Sequence, residues 1–224
     1  MISVIILSGG RGKRLGANVS KQYVNINGKP MLYYTVKKFM NNDKIDNIVL
    51  VLPEDEIQYC KENVIDKYNL NVNKIVSGGK ERQDSVYNAL TVLEKSDIVL
   101  IHDGARPFVS DKVIDDSIKY AKQYKAAAPG VMPKDTIKLK DKKGFSIETP
   151  DRNKLVAIQT PQAFDYKLIF EAHKKIRQEK VQVTDDTMVA EYYNNKVYIF
   201  DGEYTNIKIT TSEDLYLAEY LVKM

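Results

Sequence analysis

The sequence predicts an α/β fold in which a mostly parallel sheet carries helices on both faces and a β-hairpin arm protrudes from it. Three observations lead there. Short apolar, β-branched runs alternate with helix-length segments through the first half of the chain, the pattern of βαβ units. The first run leads straight into a loop rich in glycine and cations. The alternation breaks after Met132, where a two-stranded hairpin with a polar turn is spelled out.

In chain order, Ile2 to Leu7 reads as a buried strand. Asn27-Gly28 is a turn signal, and Pro30 suits the first turn of a helix through Phe39. Asn47 to Leu52 is a second buried strand stopped by Pro53, and Glu54 to Tyr68 reads as a helix. Lys74 to Val76 is a short strand. Gly78-Gly79 then turns into a helix over Asp84 to Leu93, and Ile98 to His102 is the next buried strand. Ser110 or Asp111 can cap a helix to Tyr124. Beyond Met132, Thr136 to Lys140 and Phe145 to Thr149 pair around Asp141 to Gly144. This hairpin reads as having little apolar surface of its own, and a lone hairpin is marginal in water. Residues 134–153 are therefore expected to form an arm that packs on a second subunit. Leu155 to Gln159 returns to strand, followed by helices from Tyr166 to Glu179 and from Asp185 to Tyr193. Lys196 to Phe200 and Ile207 to Ile209 read as strands, and Thr211 or Ser212 caps a final helix.

The 224 residues suit a single domain with a full core. A net charge of +4 with acids and bases interleaved leaves no footprint of a nucleic-acid binder. Apolar runs stay well short of the roughly 18 residues of a membrane helix, and the start of the chain lacks a signal-peptide pattern. Cys60 is the only cysteine, so an internal disulfide and a cysteine metal cluster are excluded; its helical neighbours give it a packing role. The expectation is a soluble cytoplasmic protein, with no nucleic-acid or membrane partner.

The loop Ser8-Gly9-Gly10-Arg11-Gly12-Lys13-Arg14-Leu15-Gly16, with Lys21 beyond it, holds four cations and no acid. Glycines let backbone N–H groups approach an anion and cations neutralise it, so the chemistry suits phosphate. No frame fits the P-loop spacing, and Leu15 stands where a dinucleotide fingerprint needs its third glycine. A strand-to-helix turn with solvated charges is the alternative. Ligands of parallel sheets bind beyond the carboxyl ends of the strands, which puts this loop, Gly78-Gly79 and His102-Asp103 on one edge. Asp103 is placed to hold Mg²⁺, which prefers one or two carboxylates plus substrate phosphates; pairing with Arg106 is the other reading. His102 reads as a structural hydrogen-bonder and His173 as the solvated surface of a charged helix. In Asn206-Ile207-Lys208-Ile209-Thr210 a lysine flanked by isoleucines must find an anion. No Ser-His-Asp or Cys-His set stands out. The cationic inventory of Arg11, Lys13, Arg14, Lys21, Arg106, Arg152 and Lys208 suits transfer at phosphorus, where the protein mainly positions reactants and stabilises charge.

Together with Ser20-Lys21-Gln22-Tyr23, His102-Asp103-Gly104-Ala105-Arg106-Pro107, Asp135-Thr136-Ile137-Lys138, Asp151-Arg152-Asn153, Gln159-Thr160-Pro161-Gln162, Thr184-Asp185-Asp186 and Asn206 to Thr210, the loop resembles the 2-C-methyl-D-erythritol 4-phosphate cytidylyltransferases of the non-mevalonate isoprenoid pathway. The resemblance spans essentially the whole chain. It implies a Rossmann-like nucleotidyltransferase domain over 1–224 that joins CTP and the polyol phosphate with Mg²⁺, releasing pyrophosphate by in-line attack on the α-phosphorus. It also implies roles. Arg14 and Lys21 stabilise the charge on the pentavalent phosphorus and the leaving pyrophosphate, Lys208 contacts the phosphates, and Asp103 takes the metal. Ser8, Gly9, Gly10 and Gly12, with Gly79, Lys80 and Ser85, hold the CTP. Arg152, Thr160 and Thr184 belong to the polyol site, and Arg106 and Thr136 reach it from the neighbouring subunit of a homodimer formed through the arm.

Two features depart from the family pattern. Ser8-Gly9-Gly10 replaces the common Ala-Ala-Gly and is more usual in ribitol 5-phosphate cytidylyltransferases of teichoic acid synthesis, which remain the alternative. Lys80 stands where an aspartate is frequent, which leaves its base contact to the backbone or the side chain. Gly104-Ala105 and Asp151 match the isoprenoid enzyme. A non-catalytic CTP-binding regulator is a third reading, opposed by the retention of Lys21, Asp103 and Lys208.

Overall fold

The computed structural model describes residues 1–10, 20–93 and 95–224 of the chain. In order these form β1 (Ile2–Leu7), the hairpin strands β2 (Asn25–Ile26) and β3 (Lys29–Pro30), α1 (Met31–Met40), β4 (Asn47–Leu52), α2 (Ile57–Cys60), β5 (Lys74–Ser77), α3 (Arg82–Leu90) and β6 (Ile98–Asp103). The second half contributes α4 (Asp111–Tyr124), β7 (Ala126–Val131), β8 (Leu139–Lys140), β9 (Ser146–Glu148), β10 (Ala157–Ile158), β11 (Gln162–Asp165), α5 (Tyr166–Glu179), α6 (Asp186–Tyr192), β12 (Tyr198–Asp201) and α7 (Ser212–Leu221).

β1 sits mid-sheet because its apolar run is buried on both faces, as parallel strands require. Val4 and Ile6 join Leu50, Leu100 and the inner residues of α1 and α4, while Ile5 joins Val49, Val51, Ile101 and the inner residues of α3, α5 and α6. The two-residue period of a strand thus feeds two separate cores. β4 and β6 flank β1 in parallel, with β5 beyond β4. On the other side β11 is antiparallel to both β6 and β7, β10 is antiparallel to β7, and β12 is parallel to it. Leu7 lies level with Val51 and Asp103, so the ends of β1, β4 and β6 share one edge.

The structure revises several expectations. The segment read as one helix from Glu54 winds in three ways: a 3-10 turn at Glu54–Glu56, then α2, then a π-helix over Lys61–Asp66. Strands β7 and β11 carry weak sequence signals: β7 is Ala-Ala-Ala-Pro-Gly-Val and β11 is Gln-Ala-Phe-Asp. Residues 207–209 are not a strand, and only the Ile209 amide bonds across, to the Ala105 carbonyl at 2.9 Å. The predicted Asn27-Gly28 turn is present with positive φ at both residues, 48° and 84°, the requirement of a tight type I′ hairpin turn. The arm hairpin is shorter than expected and far from polar: Ile137, Leu139, Phe145 and Ile147 are all exposed, Phe145 at 71%. Cys60 is buried as packing, and burial pushes its thiol up to about 12.

His102 closes β6 as a structural group. It is fully buried, edge-on to Phe39, with Nε2 3.0 Å from the Arg106 carbonyl and Nδ1 3.1 Å from the Thr160 hydroxyl. Burial drives its pKa down from 6.5 to about 4. The unfolded chain therefore takes up this proton near pH 6.5 while the folded chain resists until about 4. This contribution is complete above the unfolded value and is lost as pH falls through that window. It amounts to about 3 kcal/mol. Urea unfolding at pH about 7 and about 4.5 should show a loss of that order, smaller in His102→Gln; equal stability at the two pH values would refute it.

Candidate active site

The edge shared by β1, β4 and β6 opens into a cavity of about 370 Å³. Ser8, Gly9 and Gly10 line it from the end of β1, and Lys21 and Gln22 from the 3-10 turn Lys21–Tyr23. Gly79, Lys80, Glu81, Arg82 and Ser85 come from the entry to α3, Asp103, Gly104 and Ala105 from the end of β6, and Lys208 from the segment before α7. Nine residues singled out in the sequence therefore meet here: Ser8, Gly9, Gly10, Lys21, Gly79, Lys80, Ser85, Asp103 and Lys208. Gly12 and Arg14 lie outside the described residues.

Two glycines are fixed by close approach. A Cβ on Gly104 would fall 1.9 Å from Ser8 Oγ, and one on Gly79 would fall 2.2 Å from Asp84 Cβ. Gly104 so brings the end of β6 against the start of the glycine-rich loop. Ser8 is buried, and its hydroxyl has no hydrogen-bond partner among the described residues. The Gly79 turn is shaped by Ser85. Its Oγ accepts from the Gly79 amide at 3.0 Å and donates to the Glu81 carbonyl at 3.1 Å. A hydroxyl has one donor and two acceptor sites, so Ser85 retains one acceptor toward the cavity.

Asp103 is the electrostatic centre. Its Oδ2 lies 2.8 Å from Lys208 Nζ and 3.8 Å from Arg106 Nε, and its Oδ1 lies 3.9 Å from Arg82 Nε. Burial alone would raise its pKa, but Lys208, Arg82 and Arg106 together outweigh burial and hold it below the usual carboxylate value. The anion demanded by Lys208 is thus Asp103. Lys208 is carried to it by amide groups rather than a strand ladder. Asn206, fully buried, donates to the Thr160 carbonyl at 2.9 Å and to Gln159 Oε1 at 3.3 Å. Arg106 Nη1 donates to the Asn206 carbonyl at 2.7 Å.

The residues expected at the polyol site do not line the cavity. Thr160 is buried behind Asp103; its hydroxyl accepts from the Asp103 amide at 3.1 Å and meets His102, so it orients the carboxylate's strand end. Arg106 is half-buried against its own chain's Asp103. Thr136 and Arg152 are exposed at the base of the arm and bonded to each other, Nη2 donating to Oγ1 at 3.1 Å. Within the single chain Arg106 lies with Asp103, and Thr136 with Arg152. Thr184 is exposed before α6, its hydroxyl 3.6 Å from Met188 Sδ.

The sequence reading gives Arg82 and Asp186 no role of their own and takes His173 as surface. Arg82 places Nη2 2.6 Å from Asp186 Oδ2, and Asp186 Oδ1 lies 3.1 Å from His173 Nε2. Asp186 is fully buried and His173 nearly so, which corrects the solvated placement of His173. Its i, i+3, i+7 spacing with Ile169, Ala172 and Ile176 faces the core and was the available signal. Burial would raise the Asp186 pKa, but Arg82 and His173 outweigh it and bring it to about 2. The carboxylates of Asp186 and Asp103 overcome burial to hold Arg82 more firmly protonated than usual.

No helix among the described residues is long and apolar enough to cross a membrane. Residues 2–224 match the family described as 2-C-methyl-D-erythritol 4-phosphate cytidylyltransferase. A protein of that name from Clostridium beijerinckii is 65% identical over 223 residues, covering 100% of this chain and 99% of its own length. One from Clostridium botulinum strain Eklund 17B is 61% identical over 222 residues, covering 99% of each. The crystal structure of 4-diphosphocytidyl-2C-methyl-D-erythritol synthase from Anaerococcus prevotii superposes with a TM-score of 0.88 at 35% identity, covering 100% of this chain and 96% of that one. A cavity that gathers cations and glycines at the ends of parallel strands, and a match over nearly every residue, lead to one assignment: the chain belongs to the 2-C-methyl-D-erythritol 4-phosphate cytidylyltransferase family.

Proposed function

We propose a division of labour for the reaction of this family, in which CTP and 2-C-methyl-D-erythritol 4-phosphate give CDP-methylerythritol and pyrophosphate for isoprenoid synthesis. The chain is a nucleotidyltransferase. A phosphate oxygen of the polyol attacks the α-phosphorus of CTP, and the bond to the pyrophosphate oxygen breaks in line. The observation that carries the residue assignments is the single cavity in which Ser8 to Gly10, Gly79 to Arg82, Ser85, Lys21, Asp103 and Lys208 converge.

Backbone amides of Gly9 and Gly10 face the nucleotide, with the Ser8 hydroxyl, which has no partner among the described residues; the Ser8 amide itself is taken by the Val51 carbonyl at 2.9 Å. Gly79, Lys80 and Ser85 take the cytosine and ribose. The acceptor site left on Ser85 suits the exocyclic amine of cytosine, where uracil offers only a carbonyl. Lys21 and Lys208 stabilise the charge that grows on the phosphoryl oxygens, an effect strengthened by positioning the cations in advance. Arg14 is assigned the same task from the resemblance alone.

Asp103 fits Mg²⁺, a hard ion content with one carboxylate and substrate phosphates. The shortest contact from Lys208 goes to Asp103 Oδ2 at 2.8 Å, and Arg82 Nε stands 3.9 Å from Oδ1. Among those residues no group of three or more His, Cys, Asp or Glu could hold a metal without substrate. Bound there, the ion would neutralise phosphate charge.

We treat 1–224 as one domain with the arm 134–153 inserted. The exposed Ile137, Leu139, Phe145 and Ile147 favour an arm covered by a second copy. In the resulting homodimer, Thr136 and Arg152 of one subunit serve the polyol site of the other, beside that subunit's own Arg106. Water-soluble substrates accord with a cytoplasmic location.

Pyrophosphate release should require CTP, Mg²⁺ and 2-C-methyl-D-erythritol 4-phosphate together; faster turnover of ribitol 5-phosphate in the same assay would transfer the assignment to the teichoic-acid enzymes. Lys21→Ala should cut kcat by roughly 10²-fold, the scale of losing one preorganised charge donor, and near-native turnover would remove it from the mechanism. Mixing Lys21→Ala with Arg152→Ala subunits should restore activity, because one site of each heterodimer then has an intact cavity and an intact arm. Confirmed heterodimers without recovery would show that the sites are not shared.

A further inference from the structure

The ion pairs behind the cavity are unequal. Arg82 approaches Asp186 to 2.6 Å through Nη2, and approaches Asp103 only to 3.9 Å through Nε. A guanidinium beside two carboxylates settles on whichever is better placed, since the attraction of an ion pair grows as its separation falls. Asp186 is held firmly for that purpose. His173 bonds its Oδ1, and its backbone amide donates to Gln162 Oε1 at 3.0 Å. These supports tie α5, α6 and β11 to one buried carboxylate. A fully buried anion is costly unless its partners justify it, and nothing in the proposed division of labour makes use of this one.

We propose that Asp186 is a positioning residue that draws the Arg82 guanidinium away from Asp103, and so leaves Asp103 Oδ1 open to a divalent cation. Lys208 already occupies Oδ2 at 2.8 Å. Were Arg82 to close on Oδ1 as well, both oxygens would carry cationic donors and the metal would have to displace one. Asp186 prevents that by competing for the same guanidinium. The inference rests on the reading that Asp103 takes the metal. It assigns a role to a carboxylate that touches neither substrate nor ion, acting as outer partners of metal ligands do.

The test is Mn²⁺ binding to the full chain in the presence of CTP and without polyol acceptor, followed by electron paramagnetic resonance of the free ion. Asp186→Asn frees Arg82 to move to Asp103 and should weaken Mn²⁺ binding about tenfold, the lower end of the effect of such outer partners. Arg82→Gln should keep native affinity or better, and adding it to Asp186→Asn should restore binding to near the native value. A purely structural Asp186 would not be rescued by removing a second side chain. Native affinity in Asp186→Asn overturns the proposal, as does a double variant no better than Asp186→Asn. Should Asp186→Asn fail to fold, Arg82→Gln still decides, since a tenfold loss there means Arg82 assists the ion and overturns the proposal. Asp103→Asn separates the two levels. Native binding in that variant removes the metal reading itself, whereas a loss there without one in Asp186→Asn removes only the role of Asp186.

Discussion

The contact between Lys208 and Asp103 at 2.8 Å is the constraint on which the cavity depends. Asp103 ends a strand buried on both faces, so its charge must be met at that point rather than by water. The cation that meets it comes from a segment that follows the whole sheet in sequence and belongs to no strand. That segment has to be anchored by other means. Asn206 and Gln159 supply side-chain amides, and Ile209, fully buried, packs with Ile26, Met31 and Ala218. One ion pair thus joins the last strand of the first half to the C-terminal part of the chain. Buried ion pairs contribute little net stability; what this one supplies is a fixed wall with a charge of each sign facing the ligand.

The parts of the fold that were legible are those where local pattern and tertiary role agree. β1, β4 and β6 are continuous β-branched runs because both their faces are covered, and the helices start at Ser110, Asp165 and Thr211 because these side chains cap orphan N–H groups. β7 was not legible because its three alanines, fully buried, carry little strand propensity and are followed by Pro129 and Gly130. At the site, glycines and lone cations were legible because few structural roles need them in that order. The arrangement around Asp186 was not, since its charge partner is on α3 and its other support on α5, and no short-range spacing encodes that meeting. His173 was obscured by its neighbours Lys174 and Lys175, whose charge says nothing about the face on which the imidazole lies.

The arm poses the opposite problem. Its strands are two and three residues long, too short to stand on their own ladder. Internal hydrogen bonds help: Asp141 Oδ1 accepts from the amides of Lys143 and Phe145, both at 2.9 Å. These fix the turn, yet they bury none of the apolar side chains beyond it. A sequence reading that counted the lysines and aspartate of the turn took the hairpin as polar. Exposed Phe145 and Ile147 make its apolar content the more informative fact.

The charges of the cavity also constrain how it meets its substrates. Lys208 and Arg82 are held by Asp103 and Asp186 before any nucleotide arrives, so their positions are set by the protein. Preorganisation of this kind accelerates a reaction only if the cations face charge that develops during transfer. A lysine fully neutralised by its carboxylate would offer a phosphate little. Here the balance is uneven: Asp103 is shared among Lys208, Arg106 and Arg82, while Asp186 takes the closest contact from Arg82 alone. Three cations against two carboxylates leave positive charge in excess; Arg82 and Lys208 both line the cavity, and Lys208 is the more exposed, its side chain at 45%. The anions behind the wall therefore do not cancel the site. They fix where the surplus positive charge of the cavity wall stands.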